Sequence, residues 1–297
     1  MAAQAVTLFC IYLAEFFMQL LQCGRFKLDL SRPMIMGILN VTPDSFSDGG
    51  RFNTLDTALQ RAESMLADGA AILDIGGEST RPGAPEVSVQ EELDRVLPVL
   101  DKLKDIGVPL SLDTRRTVVM QAALQLGAVD LINDVSALED EGAVDAVAAA
   151  QVALCLMHKQ GNPDSMQQAP AYRDVVEEVG HYLLRRVQLC RAAGIADERL
   201  LIDPGFGFGK TLEHNLQLLA GLGRIEAISG LPLLVGLSRK SMLGAITGEA
   251  IPAERLGASV AVALVSLQQG ARIVRVHDVK ASRQALEVWA ALQPYAA

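Results

Sequence analysis

The stretch "MIMGILNVTPDSFSDGGRFNTLDTALQRAESMLADGAAILDIG", residues 34 to 76, decides the fold because it joins two apolar runs of strand length through a segment of helical period. The runs are "MIMGILNV" (34–41) and "AILDIG" (71–76), and neither alternates between apolar and polar residues. Such strands are typical of parallel sheets covered by helices. The segment between them places its leucines and alanines on one helical face and ends at Gly69, which is suited to a helix C-terminus. We therefore predict a strand–helix–strand unit.

The same unit recurs along the rest of the chain. Six further apolar runs are "VPLSLD" (108–113), "VDLIND" (129–134), "VALCLMH" (152–158), "LLID" (200–203), "LPLLVGL" (231–237) and "RIVRVH" (272–277). Helical segments separate them; one opens with Ser88 and Glu91 at capping-box spacing, and another stops at Gly194. Eight such units in about 250 residues predict a single-domain α/β fold, the (β/α)8 or TIM barrel. The competing doubly wound open sheet more often has fewer strands and a glycine-rich first crossover.

Composition limits the classes of function. The 297-residue chain is 50% hydrophobic but only 4% aromatic, so we expect an aliphatic core. Its formal net charge of -9 argues against a nucleic-acid partner, and positive charge for an anionic ligand must therefore be local. The four cysteines form no C-x-x-C pair and have no metal-ligand spacing to the histidines. This usage predicts reduced thiols and a cytoplasmic location.

The apolar N-terminus, "AVTLFCIYLAEFFMQLLQC" (5–23), needs a separate interpretation. It lacks a basic leading region and a small-residue cleavage site, and its charge-free stretch, 2–14, is shorter than the about 20 residues of a membrane helix. Two interpretations stay open: Met18 is the natural start and residues 1–17 are read through from upstream, or an extra helix packs on the fold. We predict an N-terminal extension and lead-in over residues 1–27, a barrel over 28–297, and no membrane span.

Polar residues stand at the end of every predicted strand. They are Asn40, Asp74, Asp113, Asn133 with Asp134, His158, Asp203, Ser238 to Lys240, and Arg275 with His277. In a barrel these ends meet at one mouth, where the βα loops build the active site. Asp113 or Asp134 alone could be the N-cap of the next helix. Asp113, Asn133 and Asp203, however, lie within or at the end of apolar runs and need partners.

The chemistry of the mouth divides by strand. The acceptors Asp113, Asn133 and Asp203 suit a planar amino-heterocycle. Strands seven and eight bring the groups that suit a phosphate or diphosphate, namely Arg239, Lys240, Arg275 and His277. Two loops rich in Gly, Ser and Pro, 42–53 and 76–87, are predicted to be lids or binding loops.

The stretch "DPGFGFGKT" (203–211) is close to a nucleotide-binding loop but is not one. A P-loop needs a glycine where Pro204 stands, and the dinucleotide fingerprint needs one at Lys210. We predict that its glycines allow a tight turn, that Thr211 caps the next helix, and that Lys210 is solvated or braces the loop.

Seven motifs of the chain resemble the dihydropteroate synthase family of the folate pathway, between about Leu28 and about Leu292. They are "MGILNVTPDSFSDGG", "DIGGESTRPGA", "INDVSAL", "LMHKQGNP", "DPGFGFGKTLEHN", "LLVGLSRKSMLG" and "RVHDV". The resemblance implies a (β/α)8 barrel, commonly a homodimer, that joins p-aminobenzoate to 6-hydroxymethyl-7,8-dihydropterin diphosphate and releases diphosphate. The family is the target of sulfonamides.

The same resemblance implies the roles of individual residues. The implied pterin site is Asp113, Asn133, Asp203 and Lys240. Arg275 and His277 would bind the diphosphate, and Asn40 would be a ligand of Mg²⁺. Thr80 and Arg81 lie in the second loop, and Ser238 and Phe208 resemble residues near the p-aminobenzoate pocket. The implied catalytic set is Lys240, Asp203, Arg275 and His277.

The implied chemistry is an SN1-like substitution in which charge stabilisation helps the diphosphate to leave. Lys159 stands where the family often has an apolar residue. Two alternatives are a pterin-barrel methyltransferase and a catalytically silent paralogue that binds a partner. The lid motif at 42–53 and the diphosphate-binding residues argue against the first, and the retention of Lys240 and Arg275 argues against the second.

Overall fold

Ten strands form a two-stranded hairpin and an eight-stranded parallel sheet in the computed structural model, which describes residues 20–42, 51–78, 87–161 and 170–295. The hairpin is β1 (Leu20–Cys23) and β2 (Phe26–Asp29). The sheet comprises β3 (Met34–Asn40), β4 (Ile72–Gly76), β5 (Leu110–Asp113), β6 (Leu131–Asp134), β7 (Ala153–Met157), β8 (Leu200–Asp203), β9 (Leu234–Val235) and β10 (Ile273–Val276). All eight predicted strands are present.

The sheet closes on itself. Its strand order is β8-β7-β6-β5-β4-β3-β10-β9, and a parallel bridge between Ile202 and Leu233 joins the two ends. The predicted barrel is thereby confirmed. The seventh strand, β9, is shorter at both ends than the predicted run 231–237. Near its start Pro232 has no N–H to donate, although its carbonyl accepts from the Ile202 N–H at 3.1 Å.

Helices follow the strands and cover the sheet. They are α1 (Arg51–Ala67), α2 (Val89–Leu103), α3 (Thr117–Gln125), α4 (Ala143–Ala149), α5 (Val175–Ala192), α6 (Leu212–Ala220), α7 (Leu222–Ser229), α8 (Ser241–Thr247), α9 (Leu256–Gln268) and α10 (Val279–Leu292). The predicted capping box is present, with Ser88 Oγ accepting from the Glu91 N–H at 3.2 Å and Glu91 Oε2 accepting from the Ser88 N–H at 2.9 Å. Gly69 and Gly194 follow α1 and α5 with φ of 100° and 85°.

The hairpin β1–β2 seals the end of the barrel opposite the mouth. Leu21, Cys23 and Leu30 are buried there against the inward-facing side chains at the bottom of the barrel strands, such as Met36 and Leu201. The sequence indicated only a lead-in over residues 1–27, and the predicted boundary at residue 28 falls inside this hairpin. Residues 1–17 lie outside the described residues, so both interpretations of that segment stay predictions.

One ion pair anchors the hairpin to the barrel. The fully buried Asp130, just before β6, accepts from the backbone N–H and Nε of Arg25 at 3.1 and 2.9 Å and from the Leu110 N–H at 3.1 Å. Gly24 has φ of 54°, and a Cβ there would lie 2.6 Å from the Asp130 Cα. The close approach of the turn to the barrel therefore requires glycine.

Replacing Gly24 by Ala tests whether the turn needs this close approach to Asp130. Gly230 is the matched control, since its φ is 70° but a Cβ added to it would have no atom within 4 Å. We expect Gly230→Ala to lower the free energy of unfolding by about 1 kcal/mol through backbone strain alone, and Gly24→Ala by about 3 kcal/mol because the clash is added. Urea unfolding of both variants measures the difference. Equal losses would contradict the close contact with Asp130.

The core is mainly aliphatic, as expected. Among the described residues, the largest fully buried side chain is nevertheless an aromatic one, Phe206. Of the cysteines that the structure describes, Cys23, Cys155 and Cys190 are free and buried. None of the described helices has the length and apolar character needed to cross a membrane.

Candidate active site

The predicted polar strand ends lie together at the mouth of the barrel. Asn40 pairs in register with Gly76, Gly76 with Asp113, and Asp113 with Asn133, so these four residues occupy one level across β3 to β6. Gly76 leaves room between its neighbours: a Cβ there would lie 3.7 Å from both Asn40 Oδ1 and Asp113 Oδ2. The barrel therefore presents a row of oxygen and nitrogen atoms with a methyl-sized gap at Gly76.

Arg275 links two of the strand-end carboxylates. Its Nε donates to Asp74 Oδ2 at 2.5 Å, and its Nη2 donates to Asp113 Oδ2 at 2.6 Å. Asp74 is fully buried and also accepts from Ser111 Oγ at 2.5 Å and from Asn133 Nδ2 at 3.3 Å. These contacts hold the guanidinium in one orientation, with Nη1 unbonded among the described residues.

The sequence prediction of the site leaves out Asp74 and Ser111, although Asp74 is one of the polar strand ends. Asp74 stands two positions before Gly76 and Ser111 two positions before Asp113, and residues two apart in a strand face the same side. A polar residue inside an apolar strand, on the face of a predicted site residue, is the signal that could have identified this inner layer.

Three acceptor atoms remain for a ligand. Asp113 Oδ1, Asn133 Oδ1 and Asp203 Oδ2 have no hydrogen-bond partner among the described residues, and none is sealed from solvent. Asp203 is oriented by the Gly205 N–H, which donates to Oδ1 at 2.7 Å. These acceptors suit a ligand with several N–H donors; that the ligand is a planar amino-heterocycle stays a prediction.

Lys240 lies beside these acceptors and against the turn after β8. Its Nζ donates to the Phe206 carbonyl at 2.8 Å and lies 4.1 Å from the centroid of the Phe208 ring, a cation–π contact. The turn itself contains Gly205, Gly207 and Gly209 with φ of 69°, 79° and 66°, which confirms the predicted tight turn. Thr211 caps α6, as predicted, by accepting from the His214 N–H at 3.1 Å.

Ser238, His277 and Arg239 make the far side of the mouth. Ser238 Oγ accepts from the His277 N–H at 3.2 Å and lies 3.0 Å from Nδ1 of the same residue, so it fixes both the backbone and the ring of His277. Arg239, with φ of 59°, donates from Nε to Asp278 at 3.0 Å. Its charge is neutralised by that carboxylate, which makes it a poorer diphosphate ligand than the sequence suggested.

Burial sets the ionisation of the site. It raises the pKa of Asp113 to about 7, although Arg275 opposes this, and it also raises the pKa of Asp203. Burial lowers the pKa of Lys240 to about 8 against the attraction of Asp203. Burial disfavours the charge of Arg275 too, but Asp74 and Asp113 outweigh it and raise its pKa above the ordinary range. The mouth thus contains Arg275, which stays cationic, together with carboxylates whose ionised form would be stabilised by N–H groups of a ligand.

Some predicted residues lie beyond what the structure describes. Thr80, Arg81 and residues 43–50 of the first loop are outside the described residues. Asn40 is in place, half-buried at the end of β3. Within residues 20–42, 51–78, 87–161 and 170–295, no three His, Cys, Asp or Glu side chains group as metal ligands.

Comparison with known proteins identifies the family. Residues 36–277 match the family described as "Pterin binding enzyme". The dihydropteroate synthase of Neisseria meningitidis serogroup B is 58% identical over 275 residues, which cover 91% of this chain and 96% of that protein. The solved structure of the Xanthomonas albilineans dihydropteroate synthase with 4-aminobenzoic acid is 50% identical, with a TM-score of 0.87, and the match covers 93% of this chain and 98% of that one. The structure of the Burkholderia cenocepacia enzyme complexed with 7,8-dihydropteroate is 49% identical, with a TM-score of 0.84, and the match covers 93% of this chain and 97% of that one. The chain therefore belongs to the dihydropteroate synthases, within the pterin binding enzyme family.

Proposed function

We propose that this enzyme condenses 6-hydroxymethyl-7,8-dihydropterin diphosphate with p-aminobenzoate to give 7,8-dihydropteroate and diphosphate, in tetrahydrofolate biosynthesis. The observation that carries the proposal is the mouth itself, in which unbonded acceptors on Asp113, Asn133 and Asp203 lie beside Lys240 and Arg275. An amino-heterocycle with an anionic leaving group needs both kinds of group. The ligands of the two similar structures are the second substrate and the product of this reaction.

The pterin binds through hydrogen bonds at its pyrimidine edge. Its 2-amino group and ring N–H donate to Asp113 Oδ1, Asn133 Oδ1 and Asp203 Oδ2, the three acceptors that lack a partner among the described residues. Lys240 donates to the ring oxygen and nitrogen. Because these N–H donors favour ionised carboxylates, pterin binding would bring the raised pKa of Asp113 back down.

The diphosphate binds next to the pterin, at Arg275 and His277. Arg275 contributes Nη1 together with a charge that Asp74 and Asp113 maintain, and His277 contributes a ring already oriented by Ser238. Asn40 fits as a ligand of Mg²⁺, because its amide oxygen borders the methyl-sized gap at Gly76, on the same level of the barrel as Asp113. Mg²⁺ commonly keeps several waters and takes one or two protein oxygens plus substrate phosphates. When bound there, the ion would supply further charge neutralisation to the leaving group.

The reaction needs no protein nucleophile, because the aniline nitrogen of p-aminobenzoate is the attacking group. The bond between the pterin methylene carbon and the diphosphate oxygen breaks, and the electron pair leaves with diphosphate. The carbon–nitrogen bond then forms, and the amine loses one proton. Arg275 and His277 stabilise the charge on the leaving group, while Asp113 and Asp203 stabilise the cationic pterin. This order of events is SN1-like. Thr80, Arg81, Ser238 and Phe208 are assigned to the p-aminobenzoate side.

We place this enzyme in the cytoplasm as a homodimer. The buried free thiols of Cys23, Cys155 and Cys190 fit a reducing compartment.

A group of exposed apolar side chains on α6, α8, α9 and the segment between α8 and α9 fits a self-association surface. The group is Leu212, Leu216, Ile246, Ile251, Leu256 and Val265. Sedimentation equilibrium tests the dimer; a monomer at micromolar concentration would contradict it.

A coupled assay of diphosphate release tests the activity. With the pterin diphosphate, Mg²⁺ and p-aminobenzoate present, we expect steady release of diphosphate and formation of dihydropteroate, with competitive inhibition by a sulfonamide. Rapid-quench kinetics would then ask whether diphosphate leaves before the carbon–nitrogen bond forms. No release with all components present would overturn the proposed function, whereas release only in concert with bond formation would overturn the SN1-like order alone.

A further inference from the structure

Lys210 is a buried lysine for which the condensation chemistry has no use. Its side chain is 3% exposed, so the solvated role considered from the sequence is excluded. Nζ donates to the Gly205 carbonyl at 2.8 Å and the Phe208 carbonyl at 3.1 Å, and it lies 2.9 Å from His158 Nδ1. The His158 carbonyl is a fourth and longer contact at 3.4 Å, so no N–H of the ammonium group is left without an acceptor.

Burial and ring packing hold His158, the side-chain partner of Lys210, in place. It follows β7 and is buried, with its ring edge-on to Tyr182 at 4.9 Å between centroids. Burial, and then the nearby Lys210, lower the pKa of His158 to about 2, so the ring is neutral. Burial lowers the pKa of Lys210 to about 7; below that pH the amine is charged, so Nδ1 accepts from it and Nε2 carries the ring proton.

The turn between Asp203 and Lys210 needs an external support of this kind. A Cβ at Gly205 would lie 1.8 Å from the His158 carbonyl oxygen, and one at Gly209 would lie 2.3 Å from the Gln160 carbonyl oxygen, so the turn is pressed against the segment after β7. Successive left-handed glycines are the least restricted residues in the unfolded chain and have the most freedom to lose. Lys210 provides such a support, because its amine links two carbonyls of the turn to His158 of the barrel.

The residues that Lys210 holds are those that flank the groups around Lys240. Phe206 and Gly207 lie between the two carbonyls that accept from Lys210. The Phe206 carbonyl accepts from Lys240 Nζ, and the Phe208 ring covers the same nitrogen. A Cβ at Gly207 would lie 3.5 Å from Lys240 Cδ, which shows how closely the turn follows that side chain. A shift of the turn would therefore displace both contacts of Lys240 together.

We propose that Lys210, seated on His158, is a positioning residue for the condensation, which holds the Phe206 carbonyl and the Phe208 ring in place around Lys240. Only the expected effect of this positioning on the kinetics of the condensation rests on the proposed function. The resemblance to a nucleotide-loop lysine is then explained by geometry: the amine binds carbonyls of its own turn rather than a phosphate.

Nuclear magnetic resonance tests the positioning without any need for activity. In protein labelled with ¹³C at the lysine ε-carbons, the Phe208 ring should shift the Lys240 ε-methylene protons upfield, with assignment by Lys240→Arg. In Lys210→Met this signal should move back toward the positions of exposed lysines. Lys159→Met is the matched control, because Lys159 follows the same strand as His158 but donates to Ser136 Oγ at 2.7 Å, away from the turn. That variant should leave the Lys240 signal in place.

Kinetics per folded molecule provide the second test. In Lys210→Met we expect the KM for p-aminobenzoate to rise by about tenfold, because Phe208 and Lys240 are both displaced. Loss of folded protein alone would lower the apparent kcat and leave this KM unchanged. If Lys210→Met does not fold, His158→Leu carries the test, since it removes the Nδ1 acceptor, and His158→Asn, which keeps an acceptor, should restore part of the affinity.

An unshifted Lys240 signal in a folded Lys210→Met or His158→Leu protein would overturn the positioning role. So would an unchanged KM for p-aminobenzoate. If the wild-type protein released no diphosphate, the proposed function would fail, but the displacement of the Lys240 signal would still decide the role of Lys210.

Discussion

The substitution Asp74→Asn is expected to lower kcat/KM by about 10²-fold, because the arginine at the leaving group loses its main orienting partner. Asp74 is fully buried and bonds Arg275, Ser111 and Asn133 at once. An amide of the same shape can accept at one atom only and has no charge to hold the guanidinium. Arg275 would then rest on Asp113 alone, and its Nη1 would no longer be fixed toward the mouth. Steady-state kinetics of the condensation measure the loss.

Asp130→Asn is the matched control at the other end of the barrel. Asp130 is equally buried and also bonds an arginine, Arg25, but it faces the hairpin rather than the mouth. Each substitution removes an ion pair and puts an amide nitrogen where a buried carboxylate oxygen accepts hydrogen bonds, so we expect both variants to be less stable in urea. Only Asp74→Asn should lose activity per folded molecule. Equal kinetic effects from the two substitutions would argue that Asp74 has a purely structural role.

The substitution Lys240→Met is expected to lower kcat/KM by about 10³-fold, since it removes the one ammonium group that lies among the ligand acceptors of the described residues. The methionine keeps most of the volume and leaves the Phe206 carbonyl without its donor. Lys159→Met, the same change after β7, which lies two strands from β9 in the closed barrel, should stay within a factor of about two of the wild type. A reduction below about tenfold in Lys240→Met would indicate that this amine makes no bond in the transition state.

The pH profile provides a second outcome for the same variant. Burial lowers the pKa of Lys240 to about 8, so the ammonium form is present below that pH and is lost above it. We therefore expect the kcat/KM of the wild type to fall as the pH rises through about 8, since this ratio reports the free enzyme. The residual activity of Lys240→Met should lack that decline. A decline retained in the variant would assign it to another group.

The architecture was predictable because its signals are local. Each strand was visible as an apolar run, each helix as a period, and the capping box as two residues three apart. Once the strands are parallel, their carboxyl ends must share one edge, so the polar residues that end them gather without further information. That rule alone predicted that Asp113, Asn133, Asp203, Lys240 and Arg275 would meet.

The hairpin and the shortened β9 were harder to predict for physical reasons. The segments Leu20–Cys23 and Phe26–Asp29 are short, and β1 belongs to an apolar stretch whose composition fits a helix equally well. The contact that holds the hairpin on the barrel is with the buried Asp130, which is 105 residues from Arg25 along the chain. For β9, Pro232 has no N–H to donate near the start of the strand. How many residues pair there depends on the neighbouring strands of the closed sheet.

The sequence by itself determined the barrel, the end of it that carries the site, and the chemical classes of the residues there. Only the tertiary structure decided which of those residues pair with each other. Asp74 and Arg275 are 201 residues apart, and Lys210 and His158 are 52 apart. Such contacts arise when barrel closure brings distant strands to a common level and points their side chains inward, where a buried charge must take whichever partner lies within hydrogen-bond distance.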